Sequence, residues 1–251
     1  MVSFLFRSGK FRPPNLPISR WKINCAYIEW GGDVHVPHGD LDTAAEIRKL
    51  MDKKNLLCAA YGSYYRAGVP EQPDFSGIVE TAALLGAPTV RVWAGNVGSE
   101  ECSEEQWGNI ISDLRRISAI AASRGISIST EYHRNTITDT NASAMRMLEE
   151  ISSSNFYTYW QPPVGTSIEY RLAGLEQVLP RLTNVHVFQW RAEESEIVRL
   201  PLAEGFEEWK RYFELIKRSE YDHVAMLEFI KDDSLEQLKA DAVTLNELVR
   251  L

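Results

Sequence analysis

Apolar and polar positions alternate with a period of two in a series of short segments, and recur near every third or fourth residue in the stretches between them. The clearest alternation is Ile126-Ser127-Ile128-Ser129-Thr130-Glu131. In a strand, residues two apart share a face, so Ser127, Ser129 and Glu131 point one way and Ile126 and Ile128 the other. Two small residues below a carboxylate suit the crowded interior of a barrel, with the isoleucines turned to a covering layer of helices. With this stretch bounded as Ser127–Glu131, further β-rich segments stand at Val2–Arg7, Ala26–Trp30, Leu57–Gly62, Thr89–Ala94, Tyr157–Gln161, Asn184–Phe188 and Val224–Glu228. The eight starts run from residue 2 to residue 224 over seven intervals, an average of about 32 residues, the length of one βα unit of a parallel sheet.

The intervening helices carry recognisable ends. Ser103-Glu104-Glu105-Gln106 reads as a capping box ahead of Ile110, Ile111, Leu114 and Ile117, with Gly125 as the left-handed stop. Ser234-Leu235-Glu236-Gln237 repeats the box before Leu238, Ala242, Leu245 and Leu248. Phe75, Ile78, Val79 and Ala82 form another apolar stripe, while the first helix, around Leu16–Asn24, is short and broken by proline. Eight βα units in 251 residues predict an α/β fold, a single (β/α)8 TIM barrel occupying residues 1–251 as one domain. No G-x-G-x-x-G follows the first strand, which removes the main reason to prefer an open dinucleotide-binding sheet.

Charge narrows the partners. A formal net charge of −8 argues against a nucleic-acid or anionic-membrane partner, since both need a basic face, and leaves a small molecule as the expected ligand. Cys25, Cys58 and Cys102 are odd in number and lack a C-x-x-C pairing, so neither a disulfide framework nor a thiolate metal site is indicated. With no run of membrane-spanning length, the expected location is the cytoplasm. Oligomeric state is left open, a homo-oligomer included.

In a (β/α)8 barrel the active site lies at the C-terminal ends of the strands. Glu131 ends the fifth predicted strand, Gln161 the sixth and Glu228 the eighth, while His186 lies within the seventh. Two carboxylates, an imidazole and an amide oxygen suit a divalent ion, Mn²⁺ or Mg²⁺ first and Co²⁺ or Zn²⁺ as alternatives. His133 and His35 follow strands and are candidate substrate-binding groups. Trp30 and Trp93 stand at strand ends where aromatic walls can pack against the apolar faces of a ligand, and Tyr61 and Arg191 complete the candidate substrate set.

Several phrases resemble the sugar isomerase/epimerase family with a xylose-isomerase-like barrel: Tyr27-Ile28-Glu29-Trp30-Gly31-Gly32-Asp33-Val34-His35, Ala60-Tyr61-Gly62-Ser63-Tyr64-Tyr65, Arg91-Val92-Trp93-Ala94-Gly95, Glu131-Tyr132-His133, Tyr159-Trp160-Gln161-Pro162 and Leu227-Glu228. The resemblance extends over nearly the whole chain. It implies a metal held by residues of the last four strands, with Glu131, His186 and Glu228 carried over directly and the two glutamates also moving the proton. Gln161 stands where many members have Asp, a neutral and weaker donor. The implied activity is isomerisation or epimerisation of a sugar or related polyhydroxy carbonyl compound through an enediolate. A dehydratase of an inosose-like substrate and a non-catalytic sugar-binding protein are the alternatives.

Overall fold

A computed structural model describes residues 2–6, 27–193 and 196–251, with side chains described from residue 27 onward except at residues 192, 193 and 196. The helix expected around Leu16–Asn24 lies outside these residues, as do Arg7 and Ala26. The chain divides into two compact units, one of residues 27–160 and one of residues 161–251 with the N-terminal segment. β1 (Val2–Phe6) belongs to the latter.

The unit Tyr27–Trp160 alternates strand and helix: β2 (Tyr27–Gly31), α1 (Leu41–Lys54), β3 (Leu57–Arg66), α2 (Phe75–Leu85), β4 (Thr89–Trp93), α3 (Glu104–Ala122), β5 (Ser127–Glu131), α4 (Asn141–Glu150) and β6 (Phe156–Trp160). The five strands are parallel in the order β2-β3-β4-β5-β6. Helix ends follow local chemistry. The Ser103 side chain accepts from Gln106 N while the Gln106 side chain accepts from Ser103 N, so both halves of the capping box are made and two of the orphan amides of α3 are satisfied. Gly125 (φ +67°) stops the chain beyond α3, and Gly86 (φ +73°) caps α2. The expected stripe of α2, Phe75, Ile78, Val79 and Ala82, is buried, as is Ile110-Ile111-Leu114-Ile117 of α3.

Register decides which side chains share a face. Gly31 pairs with Gly62, Gly62 with Arg91, Arg91 with Ser129, Ser129 with Tyr157 and Glu131 with Tyr159. Residues two apart on a strand point the same way, so Glu29, Gly62, Arg91, Glu131 and Tyr159 occupy one face, and Trp30, Tyr61, Val90, Val92 and Ile128 the other. The β3–β4 register breaks between Gly62 and Arg66, where Tyr64 takes a left-handed backbone (φ +55°). Irregular strand ends and non-glycine residues in that region concentrate beside functional groups.

The second unit contains α5 (Ile168–Val178), β7 (Leu182–Val187), β8 (Gln189–Glu193), β9 (Glu196–Leu200), α6 (Phe206–Ile216), β10 (His223–Leu227) and α7 (Leu235–Leu248). β10 runs parallel to β7. β1 pairs with β10 in antiparallel register, Val2 opposite Leu227, which corrects the expectation of a parallel first strand. Period-two alternation sets the face of a side chain but not the direction of its strand. A second difference is the antiparallel pair β8–β9, which lies outside the eight segments read from the sequence. Trp209 of α6 is fully buried and donates from Nε1 to Phe188 O at 2.9 Å, tying that helix to the end of β7. At α7 only half of the expected box forms: Ser234 accepts from Gln237 N, but the Gln237 amide turns to the buried Asp241 at 2.8 Å.

Candidate metal and proton-transfer site

Within Tyr27–Trp160 the common face carries a buried ion-pair chain. Arg91 lies mid-strand in β4 and donates from Nε to Glu29 Oε1 at 2.8 Å and from Nη1 to Glu131 Oε2. All three side chains are at most 4% exposed. Tyr159 OH donates to Glu29 Oε2 at 3.0 Å, and Trp93 Nε1 donates to Glu131 Oε2 at 2.6 Å. Two carboxylates thus share one guanidinium. Gly62 makes room for the chain: a Cβ there would stand 2.8 Å from Arg91 Nη2 and 2.8 Å from Glu29 Oε1.

An aromatic layer lies beside Glu131. His133 stacks on Trp93 with ring centroids 4.8 Å apart, Tyr64 meets Trp93 edge-on at 5.5 Å, and the Arg66 guanidinium stands 4.0 Å from the Trp93 centroid. The His133 Nδ1 bonds Arg134 O at 2.6 Å, which assigns that nitrogen the proton in the neutral ring.

Within Gln161–Leu251 three donor atoms converge. His186, wholly buried near the end of β7, has Nδ1 3.1 Å from Gln161 Oε1 and 3.1 Å from Glu228 Oε2. Pro162 follows Gln161 and favours an extended backbone at the preceding residue. Glu228 stands one residue past β10, where its amide continues the ladder to Val187 O at 3.0 Å. Although it lies so near the imidazole, Glu228 Oε2 is buried and makes no aligned hydrogen bond. A separation of 3.1 Å is a hydrogen-bond distance for the Gln161–His186 pair and also suits two ligands of one ion, since neighbouring oxygen or nitrogen atoms around an octahedral ion with bonds of about 2.1–2.2 Å stand roughly 3.0–3.1 Å apart. A neutral amide, an imidazole and a carboxylate therefore fit a divalent cation of the Mg²⁺ or Mn²⁺ type by both chemistry and spacing.

The other sequence candidates fall on both sides of the sheet or outside it. Trp93 shares the face of Glu131, as expected of a site residue. Trp30 and Tyr61 do not: strand parity turns Trp30 toward α1, where Nε1 contacts Met51 Sδ at 3.1 Å. Tyr61 is fully buried, with its hydroxyl donating to Val36 O at 2.6 Å and 2.8 Å from His38 Nδ1. Both therefore lie on the face of the sheet opposite Glu131. His35 is exposed in the turn after β2, edge-on to Trp30 at 5.9 Å, and Arg191 is exposed on the β8–β9 hairpin. Sequence reasoning gave no role to Glu29, Arg91 or Tyr159. The available signal was a charged residue flanked by apolar ones inside a strand, in Ile28-Glu29-Trp30 and Val90-Arg91-Val92.

Residues 22–248 match the xylose isomerase-like TIM barrel family, and the chain belongs to it. Its fold class is accordingly the α/β TIM barrel that the strand spacing predicts. Over 172 residues it is 24% identical to a 3-dehydroshikimate dehydratase of Bacillus anthracis, covering 62% of this chain and 61% of that relative. Among solved structures it resembles a xylose isomerase-like TIM barrel protein from Mycobacterium smegmatis in complex with magnesium, with TM-score 0.67, 14% identity and coverage of 90% and 84% of the two chains. A D-psicose 3-epimerase determined in the presence of D-fructose gives TM-score 0.62 and 14% identity, with 91% and 86% covered. No described helix is long and apolar enough to cross a membrane.

Proposed function

We propose that this chain is a divalent-metal-dependent isomerase or epimerase of a sugar or related polyhydroxy carbonyl compound. Its metal donors are Glu131, Gln161, His186 and Glu228, and Glu131 and Glu228 are the groups that move the proton. The observation that carries the reading is the convergence of Gln161 Oε1 and Glu228 Oε2 on His186 Nδ1, each at 3.1 Å. Family membership supports adding Glu131, because it also ends a strand, and strand C-termini hold the active sites of such barrels.

Held by these donors, a divalent ion would supply Lewis-acid polarisation of the substrate carbonyl, easing loss of the proton from the adjacent carbon. The protein's own groups do the rest. Glu228, 17% exposed in its side chain, is the carboxylate open enough to take a proton from carbon. In an epimerase Glu228 keeps the proton it took until solvent removes it, and Glu131, entering the step protonated, delivers its own proton on the other face; otherwise Glu131 is a donor atom only. Trp93, His133 and Tyr64 form an apolar and hydrogen-bonding wall against which sugar C–H faces pack. Unphosphorylated substrates are favoured, since the glycine-containing turn after β4 has its Ser99 amide taken by Asp139 Oδ2 at 3.0 Å.

A second reading has the same enolisation followed by loss of the β-hydroxyl, making the chain a dehydratase. The 24% identical relative favours it. Both readings require the metal. Purified wild-type protein should contain or take up one Mn²⁺ or Mg²⁺ per chain, and His186→Ala should not. A full complement of ion in that variant would remove His186 from the site and with it the reading.

A further inference from the structure

The Glu29–Arg91 pair contributes no atom to the proposed ligand set, yet it is built into the strand that neighbours Glu131. From the geometry we infer that Arg91, anchored by Glu29, is a positioning residue that fixes the carboxylate plane of Glu131 for metal binding, an inference resting on the metal-binding reading above. The guanidinium is planar, so once Nε is seated on Glu29 Oε1 at 2.8 Å no rotatable bond separates it from the Nη1 that grips Glu131 Oε2. Glu29 is seated in turn by Tyr159 OH at 3.0 Å. Trp93 Nε1 reaches the same oxygen of Glu131 at 2.6 Å, and two donors arriving from different side chains oppose rotation of the carboxylate about its last bond. The bare backbone of Gly62 is what lets this assembly pass across β3.

Charge and position predict opposite signs. A cation beside a metal ligand weakens metal binding by repulsion, so on charge alone Arg91→Met should bind Mn²⁺ more tightly. If Arg91 acts by position, the same variant should bind more weakly, because Glu131 is then free to turn. Arg91→Lys separates the two further: the charge is kept, but a single ammonium lacks the rigid fork that holds both carboxylates.

The test is calorimetric titration of metal-free protein with Mn²⁺, together with the visible spectrum of the Co²⁺-loaded protein, which reports ligand geometry. Arg91→Lys and Arg91→Met should each bind Mn²⁺ about 10- to 100-fold more weakly than wild type, the usual effect of losing a group that orients a ligand, with displaced Co²⁺ bands. Wild-type affinity and spectrum in Arg91→Lys, or tighter binding by Arg91→Met, would overturn the inference. Should both variants fail to fold, Tyr159→Phe frees Glu29 without altering any charge. It should weaken Mn²⁺ binding and shift the Co²⁺ bands, and an unchanged affinity and spectrum would overturn the inference equally. A wild-type protein that takes up no Mn²⁺ overturns the metal reading and this inference together, whereas wild-type behaviour in every variant overturns this inference alone.

Discussion

Replacing Gly62 with alanine is the most direct perturbation of the buried charge chain that leaves its members intact. Gly62 does not occupy the left-handed region, so its backbone accepts alanine. Without new contacts the substitution should stabilise by about 0.4–1 kcal/mol, through the lower entropy of the unfolded chain. The added Cβ, however, would stand 2.8 Å from both Arg91 Nη2 and Glu29 Oε1. Side-chain tips usually swing away cheaply, but these two are bonded to each other's groups and, at 4% and 3% exposure, have no solvent to move into. Overpacking of such a site costs about 1–3 kcal/mol, and yielding here also stretches the ion pair. The balance is a net loss of about 1–2 kcal/mol, or a lowering of Tm by roughly 2–8 °C for a chain of this size. Gly108→Ala in α3, whose Cβ would meet nothing within 4 Å, should instead gain about 0.5–1 kcal/mol. Thermal and urea unfolding of the two variants side by side provide the assay. A Gly62→Ala protein as stable as wild type would refute the reasoning, because it would mean that Arg91 and Glu29 give way without cost.

Two more outcomes follow from other parts of the molecule. His223 is 1% exposed, and burial, only partly countered by the Leu182 and Thr183 backbone and the Asp222 charge, lowers its pKa from 6.5 to about 4. The unfolded chain therefore binds a proton before the folded one as pH falls. Stability should drop between pH 6.5 and 4, by about 3 kcal/mol in all, and remain level above pH 6.5 on this group's account. His223→Gln should flatten that interval in urea unfolding measured at pH 7 and pH 4.5, and an equal loss in variant and wild type would show that other groups cause it. At the ligand cluster, Gln161→Asp exchanges an amide oxygen 3.1 Å from His186 Nδ1 for a charged one, so Mn²⁺ should bind more tightly by calorimetry. Unchanged affinity would put residue 161 outside the ligand set.

Strand positions were legible because each strand of a βα protein is a short apolar burst between well-marked helix ends. Ser127–Glu131 matches its expected limits, and the other predicted strands that can be compared differ by a few residues at their ends. Direction was not legible, as β1 shows. Nor was face, where the alternation was interrupted: Trp30 and Tyr61 were read from their nearness to strand ends, whereas the pleat, counted through the Gly31–Gly62–Arg91 register, turns them away from Glu131. The candidate ligands Gln161, His186 and Glu228 could be read because titratable and amide groups at strand ends are chemically conspicuous. Arg91 and Glu29 could not, because a charge inside an apolar strand acquires meaning only once a partner on another strand is known to face it. The β8–β9 hairpin escaped for a similar reason, its acidic residues outweighing the short apolar pair Ile197-Val198.

The reaction class is tested most directly by solvent exchange in D₂O, followed by NMR over a panel of ketoses, aldoses, inososes and uronates, with Mn²⁺ present and after its removal by a chelator. Mn²⁺-loaded wild-type protein should incorporate deuterium at the carbon beside the carbonyl of at least one compound. That exchange should vanish in the chelated protein and in His186→Ala, and fall severely in Glu228→Gln. Exchange that persists undiminished without metal, or that is absent from every compound with metal bound, would contradict a metal-assisted enolisation.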